Sequence, residues 1–355
     1  MKTDVKENSK RKYPVGCFEI LGELGRGGTG TVYLVRSKES GRRYAMKILK
    51  PDLFEAASAE ARADGAGDVS GNTSGDAREG ADADAGTGFG AVAAELLRAE
   101  AETMEELNGV LPFAPGIPEY YGEVYRGGRF AGLLMEYVEG ESLQKLLDDG
   151  RVFSVREAAE MGVQLCGILA RLHEMEPPRI YRDLKPGNVL VKGDGSCVLV
   201  DFGAVRAYRK GALQDTHPLG TEGYAAPEQY GGWEQSDSRT DVYGVGAVLH
   251  HMLTGRTPPE TGLRPLTELL AGVDAARAGQ YSRVDKILLR ACSIAPSMRY
   301  PSCRELEKAL ERLCREESEM PYGRNRRLIF GKRVAGESAW RRFVMLAFSG
   351  NLKKT

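Results

Sequence analysis

The sequence predicts an α+β fold with two lobes: a small β-rich lobe that contains one main helix, and a larger, mainly α-helical lobe. Residues 13–50 alternate as short strands separated by glycine and serine turns, which is typical of a sheet. From Ser142 onward, apolar residues recur at intervals of three and four, the spacing of one helix face. The 355-residue chain, 42% hydrophobic and 28% charged, is long enough to form more than one domain.

Composition and charge argue against several classes of protein. The formal net charge of -1 gives no general reason to expect nucleic-acid binding. No stretch approaches the roughly 20 apolar residues that cross a bilayer, and residues 1–12 are polar and lack a signal-peptide core. The six cysteines form no Cys-x-x-Cys pair and the four histidines form no ligand pattern, which favours reduced thiols and argues against a zinc site. We therefore expect a cytoplasmic protein.

The most informative stretch runs from residue 181 to residue 203. It contains Asp183, Lys185 and Asn188 in Tyr-Arg-Asp-Leu-Lys-Pro-Gly-Asn, followed by Asp201 in Asp-Phe-Gly. A carboxylate that accepts a hydroxyl proton, an ammonium group and an amide at this spacing can face one site only if the loop is sharply ordered. The apolar segments 189–191 and 198–200 predict a hairpin that brings Asn188 and Asp201 together. Two hard oxygen ligands suit Mg²⁺ beside nucleotide phosphates. The spacing therefore indicates phosphoryl transfer.

The chain resembles the eukaryotic-like (Hanks-type) Ser/Thr protein kinases of bacteria from about Phe18 to about Cys314. Residues 25–32 match the glycine-rich loop GxGxxGxV, and Lys47 follows in Tyr-Ala-Met-Lys. The resemblance implies the bilobal protein-kinase fold, with ATP and Mg²⁺ as ligands. It places Lys47 on the α and β phosphates, under a loop that carries Gly25, Gly27 and Gly30.

In this family, the lysine pairs with a glutamate from the next helix. Glu100 is the predicted partner, because Met104 and Leu107 then fall at helical spacings that point inward. The other glutamates of the segment are predicted to be solvated: Glu95, Glu102 and Glu105.

Residues 133–140 resemble the hinge that joins the two kinase lobes. The resemblance implies that the backbone of Glu136 and Val138 binds adenine and that Met135 limits the depth of the pocket. The base would lie between four apolar side chains, which could equally be ordinary core residues: Leu24, Val32, Ala45 and Leu190.

Residues 220–228 match GTxxYxAPE, the end of a kinase activation segment that begins at Asp201. Small-molecule kinases of related fold generally lack this segment, so the resemblance favours a protein substrate. It implies that Thr221 hydrogen-bonds Asp183 and Lys185 and helps to select Ser or Thr acceptors. Thr216 is the leading candidate for phosphorylation, with an unmodified loop threonine as the alternative.

Further residues match positions that brace the kinase fold. Asp241 corresponds to the aspartate that supports the catalytic loop, and Arg299 to the partner of Glu228. The chain departs from the family at Tyr181, where a histidine is usual, and an aromatic ring packed on Phe202 should preserve activity. It also carries Gly187 where some kinases that prefer basic peptides have glutamate, so that preference stays open.

We predict four segments. These are a flexible N-terminus (1–12), a kinase N-lobe (13–137), a kinase C-lobe (138–315) and a basic C-terminal extension (316–355). The N-lobe contains an acidic insert at about 55–90, rich in Ala and Gly, which we expect to be disordered. The insert is a solvated spacer or an autophosphorylation site at Ser70, Thr73 or Ser74. The extension could contact an anionic membrane, dock on a kinase lobe, or form a terminal helix packed on the C-lobe.

The predicted reaction is transfer of the ATP γ-phosphate to Ser or Thr hydroxyls of proteins, including autophosphorylation on the activation segment and self-association for it. Asp183 would act as base, Lys185 would contact the transferring group, and Asn188 and Asp201 would hold Mg²⁺. Two alternatives stay open: a pseudokinase or scaffold that signals by binding, and a small-molecule phosphotransferase. The sequence does not identify the physiological substrate or the upstream signal.

Overall fold

A computed structural model of the chain describes residues 11–55, 87–208, 220–231, 235–259, 263–269 and 278–319. The chain divides into two units, Met1–Glu317 and Ser318–Thr355. Most of the predicted acidic insert, Thr216 and the basic extension beyond residue 319 lie outside the described residues. The N-terminal segment 1–10 lies outside them as well.

The small lobe is a six-stranded sheet with one long helix against it. The strands run in the order β1-β5-β6-β4-β3-β2 across the sheet, and all neighbours are antiparallel except β1 and β5. The elements are β1 (Lys12–Pro14), β2 (Phe18–Arg26), β3 (Gly30–Ser37), β4 (Arg43–Leu49), helix α1 (Thr87–Val110), β5 (Tyr120–Arg126) and β6 (Arg129–Glu136).

Helix α1 packs on the sheet through one apolar face. Leu97, Ala101, Met104 and Leu107 are at most 1% exposed, and they recur at the spacing of a single helix face. Glu100 lies beside this row and is itself buried. The packing therefore fixes the side of α1 from which Glu100 reaches the sheet. The helix begins at Thr87, inside the C-terminal edge of the predicted insert.

Strand β1 is an edge strand of this sheet that the sequence pattern does not indicate. It pairs in parallel with β5, with Tyr13 opposite Val124, and Glu123 donates its N–H to the Arg11 carbonyl at 3.0 Å. Gly122 permits this approach, because its φ is +142° and an added Cβ would lie 2.2 Å from the Arg11 oxygen. The small lobe thus begins with a short strand that covers one edge of its sheet.

The large lobe consists mainly of helices. They are α2 (Leu143–Asp148), α3 (Val155–His173), α4 (Pro227–Gly231), α5 (Ser238–Thr254), α6 (Leu266–Leu269), α7 (Ala278–Ala291) and α8 (Cys303–Glu319). Ser154 and Glu157 form a reciprocal capping box at the start of α3. Among the described residues, no helix has both the length and the hydrophobicity to span a membrane.

Short strands of this lobe flank the loops that contain Asp183 and Asp201. Strands β10 (Cys197–Leu199), β9 (Val189–Val191) and β7 (Glu141–Ser142) form one sheet in that order, and β11 (Arg206–Ala207) pairs with β8 (Arg179–Ile180). Short 3-10 helices span Val15–Cys17, Pro186–Asn188 and Pro296–Met298. The β9–β10 hairpin is the one predicted from the apolar segments between Asn188 and Asp201.

Candidate active site

A cleft of about 510 Å³ lies between the β-sheet of the small lobe and the β7–β9 region of the large lobe. Its volume falls within the roughly 300–1,000 Å³ of small-molecule sites. The cleft collects most of the residues that the sequence singled out: Leu24, Gly25, Gly27, Val32, Ala45, Lys47, Glu100, Met135, Glu136, Val138, Asn188, Leu190 and Asp201.

Lys47 joins two carboxylates at the inner end of this cleft. Its Nζ lies 2.9 and 2.7 Å from the two oxygens of Glu100 and 3.0 Å from Oδ1 of Asp201. Helix α1 supplies Glu100, strand β4 supplies Lys47, and Asp201 follows strand β10. The structure therefore brings together three predicted residues from distant parts of the sequence.

One cation is shared between two carboxylates in this group. Burial disfavours the charge on Lys47, but Glu100 and Asp201 outweigh it and raise the pKa of the ammonium group. Burial raises the pKa of Glu100. Although burial also opposes ionisation of Asp201, Lys47 lowers the pKa of that carboxyl. The cluster sets two carboxyl groups against one ammonium group, so acidic groups outnumber basic ones where a further cation would bind.

The oxygens near this cluster fit a magnesium ion. Oδ1 of Asp201 faces Lys47 and the N–H of Gly203, which leaves Oδ2 for another partner. Asn188 uses Nδ2 for both of its bonds to Asp183, which leaves its Oδ1. Among the residues that the structure describes, no group of three His, Cys, Asp or Glu could hold a metal by itself. Two protein oxygens beside bound phosphates are the usual form of a Mg²⁺ site.

Asp183 lies within a compact set of hydrogen-bond donors. Lys185 Nζ is 2.7 Å and Asn188 Nδ2 3.0 Å from its Oδ2, and Thr221 Oγ1 is 3.0 Å from its Oδ1. Lys185 Nζ also donates to Thr221 Oγ1 at 3.0 Å. The geometry brings the end of the activation segment onto the predicted base, as the resemblance implied for Thr221.

Asp241 braces the predicted catalytic loop through two hydrogen bonds to its backbone. Its two carboxylate oxygens accept the N–H groups of Tyr181 and Arg182, each at 2.8 Å. Arg182 has φ 72°, a left-handed conformation that is costly for an L-residue and that these bonds stabilise. The Tyr181 ring meets Phe202 edge to face at 5.6 Å, and its hydroxyl donates to the Val200 carbonyl at 2.5 Å. Tyr181 therefore packs on Phe202 as predicted.

His173, which the sequence did not single out, also contacts this brace. Its Nε2 lies 2.7 Å from Oδ2 of Asp241, and its side chain is 8% exposed. Burial opposes its charge, but the hydrogen bond to Asp241 and the interactions with Cys303 outweigh burial and raise the pKa of His173 to about 10. The imidazolium form thus supports a buried carboxylate.

The charge on His173 predicts a pH dependence of stability. A group whose pKa rises on folding, here from 6.5 to about 10, stabilises fully below the unfolded-state pKa and loses that effect as pH rises through the folded-state value. We expect the difference in unfolding free energy between the parent and His173→Gln to be largest near pH 6 and to shrink toward pH 10. Urea unfolding at pH 6, 8 and 10 measures it.

His250→Gln is the matched control, because burial lowers the pKa of His250 and the residue is already neutral above pH 7. Its difference from the parent should stay constant between pH 8 and pH 10, where His250 is neutral in both the folded and the unfolded state, whereas that of His173→Gln should shrink. Parallel stability curves for the parent and His173→Gln would contradict a charged His173.

The activation-segment end is fixed by a buried ion pair. Arg299 NH1 and NH2 each lie 2.7 Å from an oxygen of Glu228, and the side chains are 0% and 6% exposed. Gln229 Nε2 donates to the Arg182 carbonyl at 2.8 Å, which links this segment to the catalytic loop. Tyr224 OH lies 2.5 Å from Nδ1 of His251 on helix α5.

The roles predicted for Gly30 and Thr216 stay predictions. Gly30 packs on strand β4 and does not line the cleft; a Cβ there would lie 2.5 Å from the Ile48 carbonyl oxygen. Thr216 lies outside the described residues. Other residues line the cleft without having been predicted to bind there: Arg26, Pro118, Tyr137, Gly140, Glu141, Ser142, Lys145, Gly187 and Val200. Five of them fall within motifs that the sequence singled out, whereas Pro118, Glu141, Ser142 and Lys145 lie outside those motifs and have no spacing signal.

Comparison with known proteins identifies relatives of this chain. A probable serine/threonine-protein kinase of Streptomyces coelicolor is 29% identical over 309 residues, covering 83% of this chain and 40% of the relative. Serine/threonine-protein kinase PknB of Mycobacterium tuberculosis is 29% identical over 304 residues, covering 82% and 42%. The chain therefore spans about two fifths of the length of these relatives.

A solved structure confirms the predicted bilobal fold. The kinase domain of Mycobacterium tuberculosis PknI, solved with one cysteine replaced by alanine, superposes with a TM-score of 0.53 at 24% identity, over 84% of this chain and 95% of that one. The protein kinase domain family matches residues 91–285. The predicted resemblance is thereby confirmed, and the chain belongs to the protein kinase domain family.

Proposed function

We propose that this chain is an ATP-dependent Ser/Thr protein kinase that transfers the γ-phosphate to hydroxyls of protein substrates. The observation that supports this most is the convergence of Lys47, Asn188 and Asp201 on one cleft. Asp183 is hydrogen-bonded directly to Asn188, so the proposed base lies next to that cleft. The relatives named above are Ser/Thr kinases, which agrees with the proposal.

Each charged residue has a separate task in the proposed reaction. Lys47, oriented by Glu100, would bind the α and β phosphates. Asp183 would take the proton of the acceptor hydroxyl as that oxygen bonds to the γ-phosphorus and the bond to the β-phosphate oxygen breaks. Lys185 would neutralise charge on the transferring group. When bound by Asn188 and Asp201, Mg²⁺ would supply further charge neutralisation at the phosphates.

The outer part of the cleft suits a purine base. Leu24, Val32, Ala45 and Leu190 supply apolar walls, and Met135 is 8% exposed at the end of β6. A mostly apolar site with a few polar groups is typical of nucleotide pockets. Adenine recognition by the backbone of Glu136 and Val138 stays a prediction.

The two alternative functions have less support. A pseudokinase would normally lack one of the charged groups, and here the lysine, its glutamate, the base and both proposed metal ligands are all present. A small-molecule phosphotransferase would not need the segment at residues 220–228, whose Thr221 lies against Asp183. A protein acceptor is therefore the proposed substrate class.

The test is phosphate incorporation from labelled ATP with Mg²⁺, into the chain itself and into a generic Ser/Thr protein substrate. We expect incorporation into Ser and Thr that depends on both ATP and Mg²⁺. Turnover on sugars or antibiotics but not on proteins would support the phosphotransferase instead. ATP binding without any transfer would support the pseudokinase.

Several finer predictions await their own tests. Mapping of phosphosites after incubation with ATP tests autophosphorylation at Thr216, and a dependence of its rate on protein concentration tests self-association. Cytoplasmic location and contact of the basic extension with anionic membranes stay predictions.

A further inference from the structure

An ion pair joins helix α1 of the small lobe to the strand that leads into the catalytic loop. Arg179 Nε donates to Oε2 of Glu106 at 3.2 Å, and Arg179 NH2 donates to Oε1 of the same carboxylate. The two residues are 73 positions apart in the sequence. We refer to Glu106 and Arg179 as the interlobe pair.

Arg179 lies close to the site in the chain, so a small shift of its strand would also move the residues of the site. It belongs to β8, in register with Ala207 of β11, so it is part of the strand pair that joins the catalytic loop to the activation segment. Tyr181 and Asp183 follow it two and four residues later in the chain. Its side chain is 11% exposed, and NH1 also donates to the Pro177 carbonyl at 3.3 Å. A mostly buried guanidinium with fixed partners holds its position better than a solvated one.

Glu106 lies on the same helix as Glu100, in its last turns. A helix moves as a rigid unit, so a contact that fixes Glu106 also restricts where Glu100 lies relative to Lys47 and Asp201. The sheet contacts of α1 come from the small lobe alone, and they would allow the helix to move together with that lobe. The interlobe pair instead bonds α1 to the large lobe, which carries Asp183, Asn188 and Asp201.

We propose that Glu106 and Arg179 are positioning residues. They hold α1 in the arrangement in which Glu100 and Asp201 both bond to Lys47. The proposal rests on the proposed kinase function for its kinetic consequence. Its structural consequence, the position of α1, is independent of turnover. The pair touches neither nucleotide nor acceptor, so its effect would pass through Glu100.

The test compares Glu106→Gln with Glu102→Gln in the entire 355-residue chain. Glu102 is an exposed carboxylate on the same helix and serves as the matched control. We expect Glu106→Gln to lower kcat/KM for ATP about tenfold, a typical effect for a coupled pair, while Glu102→Gln stays within about twofold of the parent. Hydrogen exchange of residues 91–110 should become faster in Glu106→Gln only, with and without Mg·ATP.

Charge reversal separates positioning from a general loss of stability. The double variant Glu106→Arg/Arg179→Glu restores an opposite-charge pair, and we expect it to recover most of kcat/KM and of the exchange protection that Arg179→Glu alone loses. The proposal is overturned if Glu106→Gln matches Glu102→Gln in both measurements, or if the double variant recovers thermal stability but not kinetics. Should the parent itself show no transfer, the proposed function fails, and hydrogen exchange still decides whether the pair positions α1.

Discussion

Replacement of Asp183 by asparagine is expected to lower phosphate transfer by about 100-fold or more, with ATP affinity close to that of the parent. Asparagine has nearly the same shape, but its amide cannot take a proton from the acceptor hydroxyl. Asp183 does not line the cleft, so the groups that are proposed to bind the phosphates stay in place. Initial rates with labelled ATP and isothermal titration with Mg·ATP measure the two effects separately.

Asp194→Asn is the matched control for this chemical change. Asp194 is an exposed turn residue whose Oδ1 accepts hydrogen bonds from Ser196, and its loss should leave the transfer rate unchanged. Equal turnover of Asp183→Asn and the parent would refute the role of base. A matching loss of ATP affinity would mean that the substitution disturbs the loop through Lys185 and Asn188.

Replacement of Arg299 by methionine should cost about 3–5 kcal/mol of unfolding free energy, because it leaves the Glu228 carboxylate buried without its charged partner. Arg299 is fully buried and also donates to the backbone carbonyls of Arg239, Ser293 and Ile294, at 2.8 to 3.0 Å. One side chain therefore joins two segments of the large lobe, at residue 239 and at residues 293–294, to the segment that contains Glu228. Urea unfolding followed by circular dichroism measures the loss.

Arg304→Met provides the comparison. Arg304 pairs with Glu174, and the two side chains are 42% and 55% exposed, so solvent screens the interaction and its loss should cost about 1 kcal/mol or less. The double variant Glu228→Leu/Arg299→Met should be more stable than Arg299→Met, since it removes the uncompensated charge. Similar losses of unfolding free energy in Arg299→Met and Arg304→Met would show that burial does not make the Arg299–Glu228 pair more important for stability.

The parts of the site that the sequence could predict are those with fixed local spacing. Asp183, Lys185 and Asn188 fall in one short loop, and a hairpin of predictable length carries the chain on to Asp201. Glu100 was also predictable, because the apolar row on α1 defines which side of the helix faces the sheet.

Contacts that depend on how distant segments meet could not be predicted in this way. Nothing in the spacing of Glu106 and Arg179 indicates that they are neighbours, and the same holds for His173 and Asp241. Gly30 fits the glycine-rich motif, yet its environment is set by the β3–β4 pairing. Sequence patterns describe single elements well, whereas side-chain partners across elements follow from the assembled packing.

The two outer strands of the small-lobe sheet, β1 and β2, each have one edge without a neighbouring strand in the described sheet. An open strand edge is a template on which another polypeptide can add and start a fibre. On one side, the outermost strand has only three residues and ends in Pro14, which has no N–H to offer. On the other side, β2 carries two register shifts, between Ile20 and Gly22 and between Glu23 and Gly25, that interrupt a regular ladder. Both margins are therefore poorer templates for strand addition than a long and regular edge strand would be.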